Sequence, residues 1–440
     1  MASAGLRLLP SGTIVANSAP TSAILVQKTS SSSRQLTQFN GFKGTSDFCA
    51  ACALPKSSSA VAVPNGFQGV RASAEDKACI GRRELLSAAT GLSLGGIVGG
   101  ALITGEAKAE AELADWERIP LPVEKGVVLL DLAFVPDEPD HGFLLGTRQT
   151  LLETKDGGKT WIPRSIPTGP DEEFNYRLNS VSFLGKEGWI SGKPAILLHT
   201  TNGGESWERV PLSPRLPGNP VIVKATGENS AEMVTDEGAI YVTSNSGRNW
   251  RAAVEETLSA TLNRGSSSQI SGASYYTGTL GSINRSSDGT YVGVSSRGNF
   301  YVTWEPGQRN WQPHNRTSAR RIQNMGFRAD GGLWLVVRGG GLFFSKGTGI
   351  GEDEGEDPDF EEAKITSRGF GILDVGYRTK DEAWATGGSG TLLRSLDGGK
   401  SWVRDKAADN IGANLYSVKF IDEKKGFVIG NDGVLLRYLG

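Results

Sequence analysis

Four segments of the chain are near copies of one another: TKDGGKTW at 154–161, TTNGGESW at 200–207, TSNSGRNW at 243–250 and SLDGGKSW at 395–402. Each follows a short run of bulky residues (TLLE, AILLH, AIYV, TLLR) that suits a pleated strand, and each ends on a Trp that opens another. The middle carries an Asp or Asn ahead of Gly: a side chain that bonds its own backbone, and a residue tolerant of positive φ. A tight strand reversal needs both. A repeated strand–turn–strand unit limits the chain to architectures that stack such units side by side.

The octapeptide is similar to the Asp-box turn, (S/T)-x-D-x-G-x-(T/S)-W, of sialidases and related β-propellers, where it is structural. Asp156, Asn202 and Asp397 are therefore expected to hold turns and not to do chemistry. The closing Trp residues lie at 116, 161, 207, 250, 311 and 402, at intervals of 45, 46, 43, 61 and 91. The fourth interval is one period with an insertion, and the fifth is two periods with one Trp missing, which makes seven units. A second marker agrees, a small or polar residue followed by a large one: HGFLLG from His141, EGWISG from Glu187, AEMVTD from Ala231, GTYVGV from Gly289, GGLWLV from Gly331, DEAWAT from Asp381 and KGFVIG from Lys425. First strands are read further upstream at VVLLDLAFV from Val127, LNSVSFL from Leu178, RIQNMGF from Arg321 and NLYSVKF from Asn414. Four antiparallel strands in about 45 residues is the size of a propeller blade. The expected fold is all-β, a seven-bladed propeller over residues 110–440. Its last unit stops at VLLRYLG without an outer strand, while the orphan DWERIPL at 115–121 matches SWERVPL at 206–212. The N-terminal segment should thus supply the outer strand of the last blade and close the ring.

Residues 1–74 hold six Lys or Arg, one acidic residue (Asp47) and many Ser and Ala, the composition of an organelle transit peptide. In 75–109, Arg82-Arg83 precedes an apolar Gly- and Ala-rich run from Leu85 to Thr104 and an Ala107-Lys108-Ala109 processing pattern, as in a twin-arginine export signal. The two in series imply chloroplast import followed by transfer to the thylakoid lumen. Without residues 1–109 the chain holds 36 basic and 43 acidic residues, a net charge near −7. Cys49, Cys52 and Cys79 leave with the targeting segments, so thiol chemistry is not expected.

Catalytic and metal signals are weak. His141, His199 and His314 sit in three different repeats with no carboxylate or Cys at ligand spacing, and no metal site is expected. The 59 glycines follow the turn positions of the repeat, not a phosphate-binding loop. From Arg285 to Arg338, however, there are eight Arg, no Lys and three acidic residues, Asp288, Glu305 and Asp330. Guanidinium is favoured over ammonium where carboxylates or carbonyls are gripped in a fixed geometry.

Strand parity places these arginines. In an up-and-down blade, the turn between strands two and three and the link to the next blade share one face. Arg297 and Arg338 fall in such turns; Arg264, Arg316, Arg320, Arg321 and Arg368 fall in, or just after, such links. These seven form the expected partner-binding patch, while Arg285, Arg309 and Arg328 count to the opposite face. The acidic run GEDEGEDPDFEE at 351–362 is expected to be a mobile loop in place of the missing turn of one blade.

With seven repeats, Asp-box-like turns, a double targeting signal, SSRGNFYVTWEPGQRNWQPHNRTSARRIQNMGF at 295–327 and the terminal GNDGVLLRYLG, the chain resembles the photosystem II stability/assembly factor family over essentially all of 110–440. The resemblance implies a non-enzymatic assembly factor without cofactor. Its partners would be newly made D1 and the D1/D2 reaction-centre intermediate, and it would engage no nucleic acid. It would be a monomer, peripheral to the membrane through protein contacts. An arginine patch is implied at Arg297, Arg316, Arg320 and Arg321; Arg264, Arg338 and Arg368 rest on parity. Two other classes compete, a lumenal scaffold with another client and a sialidase-like glycoside hydrolase. The latter would need an Arg triad, an acid/base Asp and a Tyr nucleophile beside a Glu, yet Tyr275 and Tyr276 have no Glu nearby in sequence.

Overall fold

In the computed structural model, residues 115–167, 174–264, 270, 278–348 and 358–440 are described. The two targeting segments, the apolar run 85–104, Tyr275, Tyr276 and most of the acidic run lie outside them. The described residues form seven four-stranded antiparallel sheets. We number these blades 1 to 7 in chain order: 129–163, 177–209, 220–252, 280–315, 322–362, 372–404 and 415–438. In each, the first strand in sequence pairs with the second, the second with the third and the third with the fourth. Blade 7 takes its fourth strand from the other end of the chain: Trp116–Ile119 runs antiparallel to Leu435–Tyr438, with Trp116 opposite Tyr438. This pairing leaves no open seam between the first and last blades.

The repeated motifs have distinct structural roles. In the turn of blade 1, Asp156 Oδ1 accepts from Thr154 Oγ1 (2.8 Å) and from the backbone N–H groups of Lys159 and Thr160 (2.9 Å each), and Oδ2 accepts from Thr160 Oγ1 (2.6 Å). Burial works against this carboxylate, but the Thr160 and Thr154 hydrogen bonds outweigh it and hold its pKa down at about 2. Asn202 and Asp397 repeat the pattern. The glycine that follows accommodates the neighbouring blade: a Cβ on Gly204 would stand 2.3 Å from the Phe143 ring.

The large residue of the second marker completes that contact. Trp207 meets Phe143 edge-on at 5.6 Å, Trp250 meets Trp189 at 6.2 Å, Trp161 meets Phe427 at 6.5 Å and Trp116 meets Trp384 at 5.2 Å. In every case the Trp of one blade packs on the second-strand aromatic of the blade before it. Edge-on aromatic pairs add about 0.5–1.5 kcal/mol beyond their buried area, so both sequence markers are halves of one inter-blade joint.

Two features are absent from the pattern-based expectation. The insertion between Trp250 and Trp311 contains a helix, Leu258–Arg264, whose Leu258 and Leu262 pack with Tyr291, Phe300 and Trp311. Each of the seven first strands also carries a register shift near its start, between Leu129 and Asp131 in blade 1 and at the matching place in the others. Bulges add twist where the strands converge on the axis. The polar residue after the bulge often bridges to the next blade. Asp131 Oδ2 accepts from Val181 N–H (2.9 Å), Asn324 Nδ2 donates to Leu373 O (3.1 Å), and Asp374 Oδ2 accepts from Ser417 Oγ (2.6 Å) and Val418 N–H (3.1 Å). The acidic run ends in regular structure, because Phe360–Glu362 is the fourth strand of blade 5 and pairs with the third.

Candidate partner-binding face

The seven predicted arginines all occur in one class of connection. In blade 4, Arg297 lies between the second strand, Tyr291–Ser295, and the third, Phe300–Trp304. Arg338 has the same place in blade 5, between Leu333–Val337 and Leu342–Ser345. Arg316, Arg320 and Arg321 occupy the link from Gln312–Asn315 to Ile322–Phe327, and Arg368 the link from Phe360–Glu362 to Ile372–Tyr377. Arg264 closes the helix in the link from blade 3 to blade 4; its side chain lies outside the described set.

Backbone contacts join these connections across blades 4, 5 and 6. Ile322 N–H donates to Gly298 O (2.9 Å), next to Arg297, and Arg338 N–H donates to Arg321 O (2.8 Å). The Arg320 guanidinium comes within 3.9 Å of where a side chain on Gly339 would begin. Gly340 and Gly371 touch so closely that a Cβ on Gly340 would stand 2.5 Å from Gly371 Cα, and Gly388 N–H donates to Gly371 O (2.9 Å). The structure thus brings Arg297, Arg320, Arg321, Arg338 and Arg368 onto a continuous run of linked loops.

Side-chain environment separates the two sets of arginines. Arg297, Arg320, Arg321, Arg338 and Arg368 are exposed and Arg316 is half-buried. None of these six makes an ion pair among the described residues. The arginines of opposite parity do. Arg285 Nε bonds Glu232 Oε1 (3.0 Å) and lies over the Tyr291 ring; Arg309 meets Glu255 at 3.4 Å; Arg328 pairs with Asp330, donates to Ser345 O (2.6 Å) and lies over Phe344. Carboxylates placed within the fold occupy the second set and leave the first open.

The chemistry a hydrolase would require takes a different form. A Tyr–Glu–Arg group does exist, since Tyr291 O–H donates to Glu232 Oε1 (2.6 Å) beside Arg285. Tyr291 is fully buried between blades 3 and 4, however, and burial together with the Glu232 charge pushes its phenol well above the ordinary range. It is a packed structural hydrogen bond, out of reach of a substrate. The axis holds a cavity of about 460 Å³ lined by first-strand residues of all seven blades, among them Leu130, Asn179, Val221, Ile283, Asp374 and Lys419. Burial raises the Asp374 carboxyl to about 6 despite hydrogen bonds from Ser417 and Val418.

The histidines differ from the sequence reading, which found no carboxylate at ligand spacing from them. His141 contacts Glu138 (2.9 Å) and Glu153 (2.7 Å), and His199 contacts Glu187 (2.6 Å). Glu153 and Glu187 lie twelve residues from their partners and are brought near by strand pairing, a separation that ligand-spacing rules do not scan. Among the described residues no group of three or more His, Cys, Asp or Glu side chains is arranged so that it could hold a metal ion.

The family model described as "Photosynthesis system II assembly factor YCF48" matches residues 108–439. The chain is 70% identical over 361 residues to the photosystem II stability/assembly factor HCF136, chloroplastic, of Arabidopsis thaliana, covering 82% of this chain and 87% of that one. The solved structure of YCF48 from Cyanidioschyzon merolae superposes with a TM-score of 0.68 at 48% identity, over 74% of this chain and 99% of that one. A second, described as YCF48 bound to D1 peptide, gives a TM-score of 0.64 at 44% identity, over 74% and 97%. Those names place the plant relatives in the chloroplast, and the matched proteins are assembly factors and not enzymes. With a family match spanning the whole propeller and high identity across it, this chain belongs to the photosystem II assembly factor family typified by YCF48 and HCF136.

Proposed function

We propose that the chain acts in the thylakoid lumen, where it holds newly made D1, and the early D1/D2 reaction-centre intermediate, through the face that carries Arg297, Arg316, Arg320, Arg321, Arg338 and Arg368. Arg264 joins that face from the helix end. The observation that carries this reading is the contrast in pairing: the six exposed or half-buried guanidinium groups just named make no ion pair among the described residues, while Arg285, Arg309 and Arg328 do. The related YCF48 bound to D1 peptide supports D1 as the partner. Residues 1–74 act as the transit peptide and 75–109 as the twin-arginine signal, and the propeller works as a monomer held to the membrane only through protein contacts.

The mechanism is positional. Loops pinned by backbone contacts present the guanidinium groups, which bond carboxylates or carbonyls of the precursor while other subunits are added. Hydrogen bonds to a charged group contribute about 1.5–3 kcal/mol each. Three or four such bonds, less the cost of association, support a complex that forms and then releases. The Arg320→Glu, Arg321→Glu double variant should remain folded and fail to capture reaction-centre precursors from thylakoids, with circular dichroism and pulldown as the readouts. Undiminished capture by that variant would remove the patch from the mechanism.

A further inference from the structure

Phe370 stands among the arginine loops with its ring in solvent. It is 68% exposed, more than any other aromatic side chain among the described residues. A partner that seats against a ring exposed to this degree gains binding energy from the apolar area it removes from water. The local sequence, Arg368-Gly369-Phe370-Gly371, keeps it there. Gly369 and Gly371 have φ of 57° and 86°, a region that other residues rarely adopt. A Cβ on Gly369 would stand 2.7 Å from Ser389 Oγ, and one on Gly371 would stand 2.1 Å from Gly340 Cα. The loop is thus clamped at both glycines against neighbouring turns, and the ring between them is held outward.

The clamp also fixes what lies beside the ring. Gly371 rests on Gly340, two residues after Arg338, and Arg368 is two residues before Phe370. Energetically dominant interface residues are enriched in aromatics and Arg, and rigid presentation reduces the ordering cost of binding. We propose that Phe370 is the apolar anchor of the arginine face, so that the peptide segment held there carries a bulky apolar side chain close to its carboxylate. The proposal rests on the function proposed above and narrows its partner from any acidic surface to an extended segment with adjacent acidic and apolar groups. A peptide fits better than an anionic membrane surface, because a lone ring among guanidinium forks offers directional pairing and little apolar area for insertion.

The test uses the mature chain and the member of an overlapping set of synthetic D1 peptides that it binds best. The affinity of Phe370→Ser should fall roughly tenfold or more. The factor should be the same at about 0.1 M and about 1 M salt, over which the Debye length shrinks from about 10 Å to about 3 Å. Phe370→Trp should retain binding, and the loss in Arg338→Gln should diminish at high salt. A dissociation constant for Phe370→Ser within about twofold of the parent's, alongside clear losses in the Arg variants, overturns the anchor and leaves the arginine reading standing. Arg variants that bind like the parent, or a parent that binds no D1 peptide, overturn the reading beneath it. Flotation with vesicles rich in anionic lipid supplies the remaining arm: loss of vesicle binding in Phe370→Ser with unchanged peptide affinity assigns the ring to a membrane and overturns the proposal.

Discussion

Arg285 and Arg328 differ from Arg320 and Arg338 in their surroundings, although all four belong to, or border, blades 4 and 5. The first pair each have a carboxylate, a backbone carbonyl and an aromatic ring in contact. The second pair are exposed and have no carboxylate partner among the described residues. Composition is the same on both sides, so an excess of arginine does not by itself mark a binding surface. What distinguishes these two pairs of arginines is whether the fold supplies the counter-charge.

The sharpest way to break this comparison is a double dissociation. Reversing two open arginines, in the Arg320→Glu, Arg321→Glu variant, should weaken D1 peptide binding by at least about a hundredfold, from the loss of two charged hydrogen-bonding groups, with the melting temperature unchanged. Arg285→Ala should do the opposite. It leaves the half-buried Glu232 and the buried Tyr291 without their cation, at a cost of about 2–3 kcal/mol in urea unfolding, while peptide affinity stays at the parent level. If Arg285→Ala impaired binding as strongly as stability, pairing would no longer separate the two sets of arginines.

The repeat made the blades legible because turn chemistry recurs in plain sequence: Asp156, Asn202 and Asp397 each organise a turn with their own side chains. Ring closure was legible too, since DWERI and SWERV are the same outer strand. Parity placed the arginines correctly in their connections because it depends only on counting strands. Pairing was not legible. Glu232 reaches Arg285 from 53 residues away, across a blade boundary, and no local rule brings them together. The same holds for the Glu153 and Glu187 contacts with histidine, which follow from strand register. The bulges left no sequence mark, because residues as different as Leu130, Asn179 and Tyr416 occupy them; the cause is convergence of strands on an axis, which only the assembled ring creates. Phe370 escaped notice because a lone Phe in a loop has the same local signature whether it points inward or outward.

Charged groups in the turns sharpen the comparison at lower cost. Asp156 is exposed to acid titration, but its pKa is held down at about 2 by the Thr160 and Thr154 hydrogen bonds. A carboxylate lowered in the fold stabilises it above the unfolded value near 3.8, and that contribution disappears as pH falls through about 2. Asp156→Ala should therefore cost about 1–2 kcal/mol at pH 7, from lost hydrogen bonds, and almost nothing near pH 2. Urea midpoints across that range measure it, and a cost independent of pH would show that the side chain acts through shape alone.

The paired-versus-open distinction extends to acids at the axis. Asp131 has Lys419 Nζ at 2.9 Å; Asp374, at the equivalent place after the bulge in blade 6, has hydroxyl and amide donors but no ion pair among the described residues. Burial raises its carboxyl to about 6, so between roughly pH 4 and pH 6 the folded chain keeps a proton that the unfolded chain has released. Raising the pH through that window removes the stability this group contributes below it. Asp374→Asn has no proton to lose, so the stability of the parent relative to this variant should decline as pH rises from 4 to 7. Parallel urea titrations of the two proteins decide it: equal slopes for parent and Asp374→Asn would mean that the serine and backbone donors of blade 7 hold an ionised carboxylate as effectively as a lysine does, and that pairing matters only at the surface.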